Sequence, residues 1–350
     1  MEHTEIRNGE AAAAPPVLPG GRAYARPIQM NLELTTRCPL HCPQCYVSLN
    51  TGREMPLKTA LYWIRQGAEY GVQSVNLSGG ETLCYPYLNE LIRECARHSM
   101  SSAVALSGAY VTEDTLRGMI DAGVGQIFVS LNGSTEEINA RTRDGYALAV
   151  HALELLQKMD FPERWVNWVM HASNAEDLPD MLALCQRYGV KGLVVLAFKP
   201  DSSHAFRSFP TAEQLRQAAK TLKNYKGPLA VGVESCFSQL RCLRYSGFLG
   251  CLNLGIPRGC GAGRDGVSVN VDGLLTPCRH LDAAERVSTL AEYWEHSPFL
   301  ARLREAEDHR EPPCRGCTYE RNCLPCMAVG VKLHGRLNYG MAECPLGSDS

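Results

Sequence analysis

The chain has 350 residues, a formal net charge of -2 and a pI near 6.6, a balance that gives no reason to expect nucleic acid or an anionic membrane as partner. Hydrophobic residues make up 45% of it, ordinary for a folded soluble protein, and no uninterrupted apolar stretch is long enough to span a bilayer. The length sets an expectation of about two domains.

The opening segment "MEHTEIRNGEAAAAPPVLPGGRAYARP" carries Glu2, Glu5 and Glu10 and breaks its alanine run at Pro15 and Pro16, so it lacks the basic start and apolar centre of a secretory signal. Residues 1–27 read as a flexible tail and the protein as cytoplasmic. In a reducing compartment sixteen cysteines are expected to serve metal or cluster ligation more than disulfides.

From Ile28 the sequence alternates strand-like and helical patterns. Apolar runs at 28–34, 74–79, 102–108, 126–133, 165–171 and 192–198 alternate with helical periods at 57–70, 87–98, 112–122, 147–159, 178–188 and 211–225. Gly71, Gly123 and Gly189 stand where helix C-caps belong. Repeated crossover units with near-continuous apolar strands imply a parallel sheet covered by helices. Six units are too few for a closed eight-stranded barrel, so the expected class is α/β, a partial (β/α)6 barrel over 28–227 with chemistry at the C-terminal ends of its strands. After about Pro228 cysteine, glycine and arginine rise and regular periodicity fades, which marks 228–350 as a small cysteine-rich domain. Within it, "GVSVNVDGLLTPC" (266–278) reads as a hairpin about its Asp-Gly pair, and 287–306 as one helix.

"LTTRCPLHCPQCY" follows the first strand, with Cys38, Cys42 and Cys45 inside it. A structural zinc site closes with four N/S ligands, and His41 is the local candidate for the fourth. A cubane held by only three thiolates instead leaves one iron open to another ligand. "LSGGETL" ends the second strand, where two glycines permit close backbone approach and Glu81 adds a carboxylate.

The C-x3-C-x2-C spacing with Tyr46 behind it, followed by Gly79, Gly80 and Glu81 on the next strand, resembles the radical S-adenosylmethionine enzymes. The resemblance covers about 28–226. It implies that the three cysteines hold a [4Fe–4S] cluster whose open iron is chelated by S-adenosylmethionine, and that an electron from the cluster yields a 5′-deoxyadenosyl radical that abstracts hydrogen. It also implies that Gly79, Gly80 and Glu81 meet the methionine part of the cofactor. Ser107, Ser130, Asn132 and Leu196 would lie near its ribose and adenine, and Arg143 near its carboxylate. Ser107-Gly108 and Asn132-Gly133 depart from the Asn-Gly and Asp-Gly of many members, and ordinary strand-end capping is the competing role for these polar residues.

Further on, Cys260, Gly273, Cys278, Cys314, Cys317, Cys323, Cys326 and Cys344 fall in the order of the SPASM extension of that family. The departure is Cys323-Leu324-Pro325-Cys326, where members usually have three intervening residues. The resemblance implies two auxiliary [4Fe–4S] clusters, three clusters in all. One would use Cys260, Cys278, Cys326 and Cys251; the other Cys314, Cys317, Cys323 and Cys344. Among the leftover cysteines, Cys95 and Cys185 lie in helical patterns and suit core packing. Cys236 and Cys242 flank the junction and, with Arg279, are the candidate catalytic residues. Arg279 stands where sulfatase-maturing members carry an aspartate base, and a cation there suits a peptide carboxylate or acidic residue.

Members with this extension mostly modify residues within peptides. The expected function is therefore a maturase of a ribosomally made precursor peptide, acting by crosslinking, epimerisation or backbone excision. The expected partners are the precursor, an electron donor such as flavodoxin or ferredoxin, and a separate leader-peptide-binding protein, because only a short tail precedes the barrel. A sulfatase- or cofactor-maturing enzyme and a non-catalytic zinc scaffold are the alternatives.

Overall fold

The computed structural model describes residues 15–18, 23–47, 49–199, 208–243, 259–306, 308–320, 323–337, 344 and 346. Strands and helices alternate as β1 (Gln29–Glu33), α1 (Leu57–Tyr70), β2 (Ser74–Ser78), α2 (Leu88–Arg97), β3 (Ser101–Leu106), α3 (Glu113–Asp121) and β4 (Gln126–Ser130). They continue with α4 (Glu136–Ala140), α5 (Tyr146–Lys158), β5 (Arg164–Met170), α6 (Leu178–Arg187), β6 (Gly192–Ala197), α7 (Ala212–Asn224) and β7 (Ala230–Val233). The remainder contributes α8 (Ser238–Cys242), β8 (Gly266–Val269), β9 (Leu275–Thr276), α9 (Leu290–His296), α10 (Pro298–Glu305) and α11 (Met327–His334).

The strands form one open sheet in the order β7-β6-β5-β4-β3-β2-β1-β8-β9, the unclosed parallel barrel expected from the sequence. Local chemistry explains where its helices begin and end. Thr112 and Thr211 each accept the N–H three residues on and close a capping box, with Thr115 and Gln214, satisfying donors a helix start would otherwise leave unpaired. Gly71 takes φ +90 at the end of α1, a left-handed conformation that glycine reaches without steric cost.

The two faces of the sheet differ. In β1, Met30 and Leu32 are fully buried beneath the helices, and a Cβ on Gly67 of α1 would come within 3.1 Å of the Met30 methyl. Gln29, Asn31 and Glu33 alternate onto the other, concave face. There Asn31, its register partners Asn76 in β2 and Ser268 in β8 form a polar rung: Asn76 Nδ2 donates to Asn31 Oδ1 at 2.9 Å and Asn31 Nδ2 to Ser268 Oγ at 3.3 Å. The concave face is thus polar at the sheet's centre, with Asn31 and Asn76 half-buried and Ser268 buried beside them, an array that a purely apolar core would not tolerate.

Four features depart from the sequence reading. β7 pairs in parallel with β6, so the parallel sheet continues past residue 227; its four residues include a glycine and carry little periodicity. β8 also belongs to this sheet, hydrogen-bonded along β1, while forming the expected hairpin with β9. The expected helix over 287–306 is two helices, because Pro298 has no N–H to continue the first and Ser297 instead caps the second through Leu300 N at 3.1 Å. Finally, residues 23–27 are docked. Ala23 and Tyr24 are buried, Tyr24 N donates to Arg264 O at 2.8 Å, and Trp294 Nε1 donates to Tyr24 O at 3.1 Å. No helix among the described residues is long and apolar enough to cross a membrane.

Candidate active site and cysteine clusters

The chain leaving β1 makes a closed excursion. Leu34 N donates to Ser78 O at 2.8 Å, and Met55 N returns to Leu34 O at 2.8 Å. Between them Cys38 and Asn50 bond reciprocally, Cys38 N to Asn50 Oδ1 and Asn50 Nδ2 to Cys38 O, both at 3.1 Å. The far side is tied to the connection between α4 and α5 by Gln44 N to Thr142 O at 3.3 Å and His41 N to Asp144 Oδ2 at 3.2 Å. This fixes Cys38, Cys42 and Cys45 at the C-terminal mouth of the sheet, with the His41 side chain exposed. The three thiols share one electrostatic neighbourhood with Glu81 and Arg143; burial first, then Glu81 and the other thiols, pushes Cys38 up to about 11.

The Gly79-Gly80 pair has a different reason than ligand approach alone. A Cβ on Gly79 (φ +146) would lie 2.6 Å from Thr35 O, and one on Gly80 2.3 Å from Arg37 O. The cysteine loop itself presses on these glycines, and Gly80 N and Glu81 N bond Thr35 O and Arg37 O at 2.7 and 2.8 Å. Glu81 is completely buried. Its carboxylate accepts Leu83 N at 3.0 Å, Ser107 N at 2.8 Å and the Ser107 hydroxyl. Burial raises its pKa against the pull of these donors.

The other sequence-selected residues divide. Ser130 and Leu196 sit half-buried at strand ends. Asn132 is buried and spends its polar atoms internally: its side chain donates to Thr142 Oγ1 at 2.9 Å and accepts Val169 N at 3.1 Å. Arg143 faces Glu81 and Cys45, and its Nε is buried without a hydrogen-bond partner.

Across the mouth, Arg279 Nη1 donates to the Tyr46 hydroxyl at 3.1 Å and Nη2 to Asn31 Oδ1 at 3.0 Å. His280 packs on Tyr46 with ring centroids 4.4 Å apart. Glu33, missed by sequence reading, closes this group: burial raises its carboxyl pKa, and Arg279 opposes the rise. Its alternation with Met30 and Leu32 along β1 was the available signal.

The C-terminal cysteines form two groups. Cys260, Cys278 and Cys326 lie within mutual electrostatic reach, and Cys236 joins them through a hydrogen bond with the Cys326 thiol. Cys323 faces Cys314 and Cys344 and is hydrogen-bonded to Cys242. Cys317 follows on the same turn, its N donating to Cys314 O at 3.3 Å and its sulfur accepting Tyr319 N at 3.4 Å. Cys251 lies outside the described residues. Cys95 and Cys185 are fully buried in α2 and α6, the expected packing role. Lys199, after β6, places its ammonium between Glu234 and the first group.

Residues 32–185 match the family model described as the Radical SAM superfamily. Residues 32–185 are a radical SAM domain. Related proteins extend the similarity beyond those bounds. A PqqA peptide cyclase of Gluconobacter oxydans is 27% identical over 88% of each chain. One of Methylobacterium nodulans is 28% identical over 92% of this chain and 86% of its own. Among solved structures, Streptococcus suis SuiB bound to S-adenosylmethionine superposes with TM-score 0.73 at 16% identity, over 93% of this chain and 76% of its own. The anSMEcpe structure with bound AdoMet and a peptide gives 0.70 at 14%, over 89% and 92%. Both share the fold.

A radical SAM domain implies a [4Fe–4S] cluster and S-adenosylmethionine, and the residues fit. Three thiols gather on one fixed loop, and Arg143, whose Nε is buried without a hydrogen-bond partner, carries its charge beside Cys45. Among the described residues no three cysteine, histidine or acidic side chains are drawn together as a single bound ion would need; a cube holds its thiolates at separate corners, farther apart than one ion's ligands.

Proposed function

We propose that this protein is a radical SAM peptide maturase that acts on a ribosomally made precursor peptide, and that its product is a crosslinked ring. The observation that carries the reading is the end-to-end similarity to proteins named PqqA peptide cyclase, over 88% of each chain, joined to a polar concave face that opens beside the cysteine loop. A cyclase closes a ring in its peptide, which favours crosslinking over epimerisation or backbone excision.

In this reading Cys38, Cys42 and Cys45 hold the [4Fe–4S] cluster, and Arg143 receives the carboxylate of S-adenosylmethionine. Gly79, Gly80 and Glu81 shape the wall beside its methionine part, with Ser107 and Asn132 buttressing that wall and Ser130 and Leu196 lining the space beyond. When bound, the cluster and S-adenosylmethionine supply a carbon-centred radical that removes hydrogen from the peptide. The protein's own residues orient the peptide. Arg279, braced by Tyr46 and Asn31, presents a guanidinium to an acidic group, and Glu33, held at a raised pKa, is placed to accept a proton as the ring closes. The two C-terminal groups are read as auxiliary cluster sites over 228–350, behind a barrel at 28–227. A cytoplasmic setting, a flavodoxin or ferredoxin as reductant and a separate leader-binding protein complete the proposal.

The test is anaerobic reconstitution with iron and sulfide, then S-adenosylmethionine, dithionite and a candidate precursor peptide. Formation of 5′-deoxyadenosine with a peptide lighter by one hydrogen pair supports the reading. Cleavage of S-adenosylmethionine without any change in precursor peptides points to another substrate, and bound zinc with no cleavage overturns it.

A further inference from the structure

The first C-terminal thiol group contains a member that the linear motif does not include. Cys236 lies just after β7, and three segments meet beside it at one backbone carbonyl. Ser238 Oγ donates to Leu324 O at 2.6 Å, and Cys260 N donates to the same oxygen at 3.3 Å. The junction leaves no room for a side chain at Gly259, where a Cβ would lie 2.3 Å from Leu324 O and 2.8 Å from Ser238 Oγ. Two residues from these pinned positions in each direction stand Cys236 and Cys326, whose thiols touch. Cys260 and Cys278 complete the group, and both Cys236 and Cys260 are buried.

A second observation points to an anionic occupant. Lys199 Nζ is bound by Glu234 at 2.7 and 2.9 Å and by Ala197 O at 3.1 Å, with its side chain only 10% exposed. Its charge faces Cys236, Cys326 and Cys278. An ammonium removed from water needs compensating negative charge. Glu234 supplies one such charge, and the thiol-lined side of the ammonium is where a thiolate-ligated cluster would be favoured as a further anionic neighbour.

We infer that Cys236, not Cys251, is the fourth thiolate of the first auxiliary iron–sulfur site, together with Cys260, Cys278 and Cys326. This rests on the reading that the C-terminal cysteines hold clusters. It makes that site fully ligated by protein, so it has no open iron for a substrate and is suited to moving electrons or bracing the fold. It also makes the end of the parallel sheet a ligand-bearing part of the C-terminal region.

The test compares full-length Cys236→Ser and Cys251→Ser, reconstituted anaerobically, by iron and sulfide content and by Mössbauer and electron paramagnetic resonance spectra. Cys236→Ser should lose about four irons per chain, one cubane, or show a three-iron signal, and its lesion should match that of Cys326→Ser; Cys251→Ser should keep the wild-type spectrum. Both serine variants should still form 5′-deoxyadenosine in the absence of peptide, which separates a lost ligand from a misfolded chain. Should Cys236→Ser fail to fold, Lys199→Met offers a second reading: it should shift one auxiliary cluster's potential to more negative values, and the same signal should be absent from Cys326→Ser. An unchanged spectrum in Cys236→Ser, or the loss of a cluster in Cys251→Ser, overturns the assignment, as does an unshifted potential in Lys199→Met. Wild-type protein that holds only the four irons of one cubane would instead refute the underlying reading.

Discussion

The carboxylate of Glu81 holds the backbone N–H and the hydroxyl of Ser107 together, joining the ends of β2 and β3 directly behind the cysteine loop. A carboxylate has only acceptors to offer, and here every neighbour is a donor. An amide at that position would turn its NH2 toward Leu83 N or Ser107 N. Glu81→Gln should therefore lower unfolding free energy by about 1–3 kcal/mol, the cost of a buried unmatched polar group. Anaerobic chemical denaturation checks this, and a variant as stable as wild type would contradict it.

Gly80→Ala attacks the same wall by sterics. Its new methyl would meet Arg37 O at 2.3 Å, and backbone on both sides has nowhere to go. The cysteine loop should be displaced and the S-adenosylmethionine-binding cluster lost. Iron content should fall by about one cubane, with 5′-deoxyadenosine formation abolished and any iron held by the C-terminal cysteines retained.

Arg143→Gln removes a guanidinium whose Nε has no protein partner. Charge-assisted bonds to a carboxylate are worth about 1.5–3 kcal/mol. S-adenosylmethionine affinity should fall by roughly ten- to hundredfold with iron content and helicity unchanged. Equilibrium dialysis under anaerobic conditions measures it.

Asp265 predicts a pH dependence. It is almost completely buried, and burial pushes its pKa from 3.8 up to about 6, opposed mainly by the hydrogen bond from Gln29. The folded chain thus holds this proton more tightly than the unfolded chain, so stability falls as pH rises from about 4 to 6 and stays lowered above that. Asp265→Asn keeps an acceptor for Gln29 Nε2, which lies 3.2 Å from Asp265 Oδ1. The variant should be more stable than wild type at pH 7.5 by up to ~3 kcal/mol and nearly equal at pH 4. A difference independent of pH would refute the cause.

Much of this architecture was legible in the sequence because helices and buried strands write their periods locally. α1 occupies the very span its apolar spacing indicated, Leu57–Tyr70. Other features depend on distant partners and leave no local trace. β7 is four residues long and is a strand because β6 lies beside it. Gly273 was visible as part of a spaced motif, but its reason was not: it adopts φ +77, packs against Thr59 of α1, and its carbonyl accepts Trp63 Nε1 at 3.0 Å. The cysteine loop and Arg143 were legible as candidates, and the structure draws them together. Glu81 and Asn132 were legible as candidate cofactor contacts near strand ends; that their side chains bond Leu83 and Ser107, and Thr142 and Val169, depends on how neighbouring strands and loops meet. Cys236 was legible only as a candidate catalytic thiol beside a change of texture; its place next to Cys326, Cys260 and Cys278 depends on segments distant in sequence.

The pairing of Gln29 with Gly266 has a consequence for how the molecule is made. β1 leaves the ribosome well before β8, and one of its two edges has no partner until β8 has been synthesised. During that interval a strand with one apolar face carries a row of open amide and carbonyl groups, the kind of edge that recruits other chains. A nascent chain stopped after β7 would remain in that condition permanently. The barrel segment is therefore a poor candidate for expression alone, and the cysteine loop at the end of β1 reaches its settled position only once β8 is in place.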